Sequence, residues 1–227
     1  MNLIEHYNQL YKTSSQTIAA GKYGIDSELK NESDSRFGIT LLIRPNEEIK
    51  ENIQAFINEL KKAEPEQYFY PDSDIHITVM SIISCSTAFH LSQISPNEYI
   101  EIICRSLVDV DKIKIHYEGV TASPSAIMIQ GFPSDDTLNN LRNRLRENFK
   151  NSGLQQSIDS RYKIFAAHST IMRFQEKLHD PKKLMEITEK FRDYDFGEFD
   201  VKNIELVYND WYQRKSTTRI LGDFGLR

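Results

Sequence analysis

Two tripeptides, His76-Ile77-Thr78 and His168-Ser169-Thr170, carry the residue types for acid–base chemistry on a phosphate. An imidazole titrates near neutral pH, so one of a pair can accept a proton while the other donates one. Opening a cyclic phosphodiester, or moving a phosphoryl group between neighbouring hydroxyls, needs that division of labour. Threonine hydroxyls can donate hydrogen bonds to the non-bridging phosphate oxygens, whose charge must be held in the transition state. Side chains alternate along a strand. His76 and Thr78 therefore share one face, with Ile75, Ile77 and Val79 opposite, and His168 and Thr170 share a face opposite Ala167, Ser169 and Ile171. A buried polar group without partners costs about 1–3 kcal/mol. One His-x-Thr in an apolar strand is more often a satisfied piece of core, but two at matching places predict an open cleft. Alternation turns Ser169 away from His168 and gives it no role.

The elements that must position these residues repeat. Phe37–Ile43 is an apolar run that predicts a central strand, stopped by Pro45. Asn46 is placed to cap a helix to Ala63 whose stripe is Ile49, Ile53, Phe56, Ile57 and Leu60. A loop rich in Tyr and Pro, 65–73, then leads to a strand over 75–83. The second unit has a strand over 126–131, a helix from a Ser134 cap through Phe149, and a strand over 164–174. In each unit the histidine lies in the closing strand, a similar stretch of chain beyond the opening one. Between the units the patterning predicts a helix over 96–108 and a strand over 113–120. After them come a helix over 181–191 and strands over 199–208 and 218–224. Residues 2–20 have helical spacing and 21–35 are loop-like, so the chain divides into 1–35 and a single bilobal domain over 36–227.

The chain has 227 residues, 39% hydrophobic and 27% charged, which fits a globular protein and neither a fibrous nor a low-complexity one. A formal net charge of −5 is the wrong sign for gripping long duplex nucleic acid through its phosphates. A short nucleotide or an RNA end remains a fitting partner. No window approaches the ~20 apolar residues of a membrane span, and the N-terminus lacks a signal-peptide pattern. A cytoplasmic monomer is the expectation. Cys85 and Cys104 are too few for a disulfide framework and are expected as free thiols. The six histidines form no HExxH or Cys/His cluster, and no Walker A loop, GxGxxG or GxSxG is present, so neither metal nor cofactor is expected.

The duplicated motif, with its hydrophobic flanks, resembles the HxT/S signature of the 2H phosphoesterase superfamily, which includes bacterial 2′-5′ RNA ligase-like proteins and cyclic phosphodiesterases. The resemblance covers roughly Arg36 to Arg227, and Ile204–Trp211 is similar to a closing strand of that group. It implies an α+β fold of two pseudo-symmetric lobes, each a mainly antiparallel sheet flanked by helices, with the cleft between them. It also implies a metal-independent phosphoesterase in which His76 and His168 are the acid–base pair and Thr78 and Thr170 hold the phosphate. The substrate class is a small or RNA-terminal phosphodiester, a 2′,3′-cyclic phosphate or a 2′-5′ linkage. A reversible RNA ligase and a non-catalytic cyclic-nucleotide-binding module are the alternatives. For a nucleotide base, Tyr70 and Tyr162 stand at matching places six residues before each histidine, and Trp211 and Tyr212 follow the closing strand. Arg161, Lys163, Arg173, Arg214 and Arg219 are candidates for a distal phosphate, although a solvated surface is the commoner fate of each. The cations of 142–150 are read as a solvated helix face.

Overall fold

The computed structural model describes residues 2–226. In chain order the elements are α1 (Leu3–Ala19), β1 (Phe37–Ile43), α2 (Glu47–Ala63), β2 (Tyr68–Phe69), β3 (Ile77–Ser86) and α3 (Pro96–Leu107). They continue with β4 (Lys114–Ser123), β5 (Ala126–Pro133), α4 (Thr137–Lys150), β6 (Ser169–Arg173), α5 (Pro181–Lys190), β7 (Asp195–Asp200), β8 (Asn203–Asp210) and β9 (Arg219–Gly225). The strands form two sheets, β3-β1-β8-β9 and β2-β6-β5-β4-β7, antiparallel throughout. Apart from the short β2, the orders correspond: β3 to β6, β1 to β5, β8 to β4 and β9 to β7. This is the two-lobed α+β arrangement that the repeat implies.

Local chemistry explains the helices. The Asn46 side chain accepts the Ile49 N–H at 3.0 Å, which caps α2, and all five apolar residues of its stripe are buried. Asp180 caps α5 through the Lys183 N–H at 2.9 Å, with Pro181 at the first helical position. The helices then cross over. α2, which with the short β2 lies between β1 and β3 of the first sheet along the chain, packs on β6 and β7 of the second, whereas α4 connects two strands of the second sheet and packs on β3 of the first. Each unit therefore covers its partner's sheet, and one core cluster runs through both.

Three expectations change. Ser134 does not cap α4; its N–H continues the sheet to Lys114 O, and the Asp135 carboxylate takes the Thr137 N–H at 2.8 Å. The single strand over 199–208 is two strands that part at Val201-Lys202, because β7 belongs to the second sheet and β8 to the first. The run 164–174 forms a ladder only over Ser169–Arg173. Among the described residues no helix is long and apolar enough to cross a membrane.

Candidate active site

A cavity of about 320 Å³ opens between the two sheets, with His76, Thr78, His168 and Thr170 on its wall. Alternation puts them there: Ile77 and Val79 of β3, and Ser169 and Ile171 of β6, point the other way and are fully buried. Both histidines sit one residue ahead of their strands. Past each threonine the alternation is then broken in the same way. Leu41 and Leu42 of β1 pair with Met80 and Thr78, so Val79 is an extra residue in β3. Ile127 and Met128 of β5 pair with Met172 and Thr170, so Ile171 is the extra residue in β6. These are β-bulges at equivalent places. Each returns the residue three beyond the threonine to the cavity face, Ser81 in one lobe and Arg173 in the other.

The two imidazoles differ in their support. His76 Nδ1 lies 2.6 Å from Asp74 O. A carbonyl only accepts, so Nδ1 carries the proton and Nε2 presents its lone pair in the neutral ring. Among the described residues the His168 ring has no hydrogen-bond partner. Burial pushes both histidines down to about 4; the Asp74 carbonyl opposes this for His76, and the Arg142 charge adds to it for His168. Both rings are therefore neutral at pH 7.

The segment ahead of β6 is held without a ladder. The Tyr7 hydroxyl of α1, fully buried, donates to Gly131 O at 3.1 Å and accepts the Ala167 N–H at 3.2 Å, standing in for a rung between β5 and this segment. Burial pushes the phenol up to about 12, which keeps that hydrogen in place. Gly131 has to be glycine here, since a Cβ would lie 2.0 Å from Ala167 O. Arg146 donates to Ile164 O at 2.7 Å, and Arg142 to Phe165 O at 2.9 Å and Ala166 O at 2.8 Å. Arg142, Arg144 and Arg146 are thus tertiary ties, and of the cations read as a solvated face only Lys150 is exposed without such a tie among the described residues. Ser169 also has a place: buried, its hydroxyl donates to His76 O at 2.7 Å and accepts from Tyr117.

The aromatic candidates separate. Tyr70 is 2% exposed, and its hydroxyl accepts the Arg173 Nε–H at 2.9 Å, so it serves as a buried prop for that arginine and offers no stacking face. Tyr162 stands 69% exposed at the rim. Trp211 lines the cavity under the Arg161 guanidinium, 4.4 Å from the ring centroid. Tyr212 is fully buried behind the wall, donating to Asp26 at 2.9 Å, and does not line the cavity. Of the cations, Arg161 and Arg173 line the cavity; Lys163, Arg214 and Arg219 do not. Arg173 makes no ion pair among the described residues. Strand alternation alone would aim it away from Thr170, and only the bulge brings it in, which is why spacing did not single it out. Among the described residues no group of three His, Cys, Asp or Glu side chains is placed to hold a metal ion.

Residues 49–212, which include both motifs, match the 2′-5′ RNA ligase superfamily. No curated protein matches the chain. Its fold is similar to that of TT0787 of Thermus thermophilus, at 15% identity and a TM-score of 0.60 over 84% of this chain and 98% of that one. E. coli LigT complexed with 3′-AMP is similar at 15% identity and a TM-score of 0.57, over 84% and 98%. A conserved protein of unknown function from Agrobacterium tumefaciens is similar at 11% identity and 0.54, over 92% and 98%. At such identities the structural likeness is one of fold. The family match spans well over half of the sequence, and the chain belongs to the 2′-5′ RNA ligase superfamily of two-histidine phosphoesterases.

Proposed function

We propose that this protein is a metal-independent phosphoesterase that opens a small or RNA-terminal phosphodiester, a 2′,3′-cyclic phosphate or a 2′-5′ linkage. The observation that carries the reading is the meeting of two His-x-Thr faces and Arg173 in one cavity. For a cyclic phosphate the step balances as follows. Water attacks phosphorus while one imidazole takes its proton, the bond to one ribose oxygen breaks, and the other imidazole, whose protonated form the phosphate anion stabilises, gives its proton to that oxygen. The Asp74 contact fixes the His76 ring with Nε2 as its working nitrogen, a lone pair when the ring is the base and an N–H when it is the acid. Thr78, Thr170 and the Arg173 guanidinium hold the non-bridging oxygens. A base has room beside Trp211 and Tyr162 at the open end, and the complex of E. coli LigT with 3′-AMP supports a ligand of nucleotide size.

Turnover of 2′,3′-cyclic nucleotides and 2′-5′-linked oligonucleotides in EDTA tests this, for wild type beside His76→Ala and His168→Ala. General acid–base groups are worth about 10²–10⁴-fold each, so losses of that size are expected in both variants. A variant that keeps full turnover would overturn the mechanism. Joining of RNA ends instead of cleavage would assign the ligase direction, and tight binding with an unchanged ligand would assign a binding module.

A further inference from the structure

We propose that Arg142 is a positioning residue that sets the separation and orientation of the two His-x-Thr motifs; the inference rests on the two-histidine reading above. Arg142 lies in α4 and is 0% exposed. Its place follows from spacing: Leu138, Leu141, Arg142, Leu145 and Phe149 fall on one stripe, and α4 turns that stripe toward β3 of the other lobe.

A guanidinium has five N–H donors, and here each has an acceptor. Nε donates to Val79 O at 3.1 Å, and Nη2 to Thr78 O at 3.0 Å and Ala166 O at 2.8 Å. Nη1 donates to Phe165 O at 2.9 Å and Asn139 Oδ1 at 3.1 Å. Two of these carbonyls belong to the first motif strand at its bulge, and two lie in the segment that leads into His168. One rigid planar fork thus grips both motif-bearing segments at once, in the stretches where ladder pairing is interrupted or lacking. No carboxylate pairs with it among the described residues.

A buried cation on neutral partners is an expensive way to fill a core, because its desolvation is repaid only through hydrogen bonds. An apolar side chain would fill the same space but would take this donor from four carbonyls and remove the fork that links the two segments. A second tie crosses at the same level: the Ser169 hydroxyl, supported by Tyr117, reaches His76 O. The middle residue of one motif therefore fixes the backbone of the histidine in the other.

The test uses Arg142→Lys, which keeps the charge and loses the fork, and Ser169→Ala, which removes one hydroxyl. The first readout does not need turnover. Inorganic phosphate at fixed pH is titrated while the ring resonances of His76 and His168 are followed by NMR. In wild type both rings are expected to respond with one common Kd. In Arg142→Lys the two responses separate, one ring shifting at higher phosphate than the other. The second readout is kinetic. A misplacement of about 1 Å costs about 10²-fold, so kcat is expected to fall about 100-fold in Arg142→Lys and about 10-fold in Ser169→Ala, with KM within about threefold. A conservative core variant outside both motif strands, Ile18→Val in α1, compared at the same loss of Tm, is expected to keep kcat.

Common ring responses and unchanged kcat in both variants would overturn the positioning role. So would a fall in kcat that Ile18→Val reproduces at equal Tm. If Arg142→Lys does not fold, Ser169→Ala decides by the same two readouts. A wild type that turns nothing over, yet shows joint ring responses that separate in the variants, would reject the proposed activity and uphold the positioning role.

Discussion

The two motif strands carry the same pair of side chains on different supports. β3 is ten residues long and laddered to β1 from Ile77 opposite Ile43 to Ser86 opposite Phe37. Its histidine adjoins the first rung, and its ring is fixed by a carbonyl two residues upstream. β6 has five residues, and the rungs end at Ser169 opposite Ile129. Ahead of it, Tyr7, Arg142 and Arg146 hold the chain by side chains from two helices. The first motif has a ladder and a local carbonyl besides its ties to Arg142 and Ser169, whereas the segment ahead of the second motif has no ladder and is held by side chains at least 18 positions away in sequence. Long-range side-chain support concentrates the geometry of His168 in a few atoms, so single substitutions should disturb the second lobe more than the first.

The largest difference is expected at the residue after each bulge. Arg173→Met removes the cation next to the phosphate position, and loss of a comparable oxyanion donor costs about 10²–10³ in kcat. Ser81→Ala, its equivalent in the first lobe, should stay within about threefold of wild type. Equal losses, measured as kcat on the best substrate, would break the comparison and make the cavity functionally symmetric.

Next comes Gly131→Ala. Its Cβ would meet Ala167 O at 2.0 Å, backbone against backbone, so the segment before His168 must shift. Overpacking of this kind typically costs about 1–3 kcal/mol, and kcat should fall along with Tm. The first lobe has a close glycine as well: at Gly38 a Cβ would lie 2.4 Å from Ile83 O. That place, Ile83, is four residues beyond Val79 along β3, far from His76 in register. Gly38→Ala should therefore lower Tm with less effect on kcat. A larger kcat loss in Gly38→Ala would reverse the ranking of the two lobes.

Much of this was legible in the sequence because the signals were local. The apolar run over Phe37–Ile43 is the strand β1, Asn46 caps α2, and strand alternation brings the two histidines and two threonines to one cavity. What escaped was non-local. A β-bulge depends on the partner strand, so Arg173 could not be aimed from spacing. Arg142 sits at the right interval on an apolar stripe, which was a usable sign of burial, but it begins a run of cations that usually face water. Tyr70 occupies the position matching Tyr162, yet one is a buried prop and the other a rim residue, since repeat symmetry fixes place along the chain and not depth. The division at Val201-Lys202 is a change of sheet, invisible to a pattern that only records alternation.

Tyr7→Phe is a smaller change of the same kind. It removes the hydroxyl that bridges Gly131 O and the Ala167 N–H and leaves both buried groups short of a partner, for about 1–3 kcal/mol. The loss should appear in Tm and as faster hydrogen exchange at the Ala167 amide, while amides of β3 keep their protection. Uniform loosening of both lobes would show that α1 supports the whole fold and not the second motif in particular.

The last effect is one of pH, and it asks which lobe carries the proton. Burial holds both imidazoles at about 4 against an ordinary 6.5. The unfolded chain therefore binds their protons first, so the stability these neutral rings contribute is present above about pH 6.5 and is lost as pH falls toward 4. An anion between the rings reverses the balance by giving one imidazolium a partner, which raises its pKa. By linkage, the anion must then bind more tightly as pH falls between the raised value and about 4. Sulfate is the suitable probe, since its own charge is constant over this range. Its affinity is expected to rise by up to about tenfold per pH unit from pH 7 to pH 5. The two rings form a coupled pair, so the wild-type curve belongs to both. The variants separate them: the pH dependence should vanish in whichever of His76→Ala and His168→Ala lacks the ring that takes the proton, and persist in the other. Affinity independent of pH in wild type would mean that Arg173 and the threonines hold the anion without the histidines. The cavity would then be a binding site with neutral walls, and the difference in support between the two lobes would have no bearing on proton transfer.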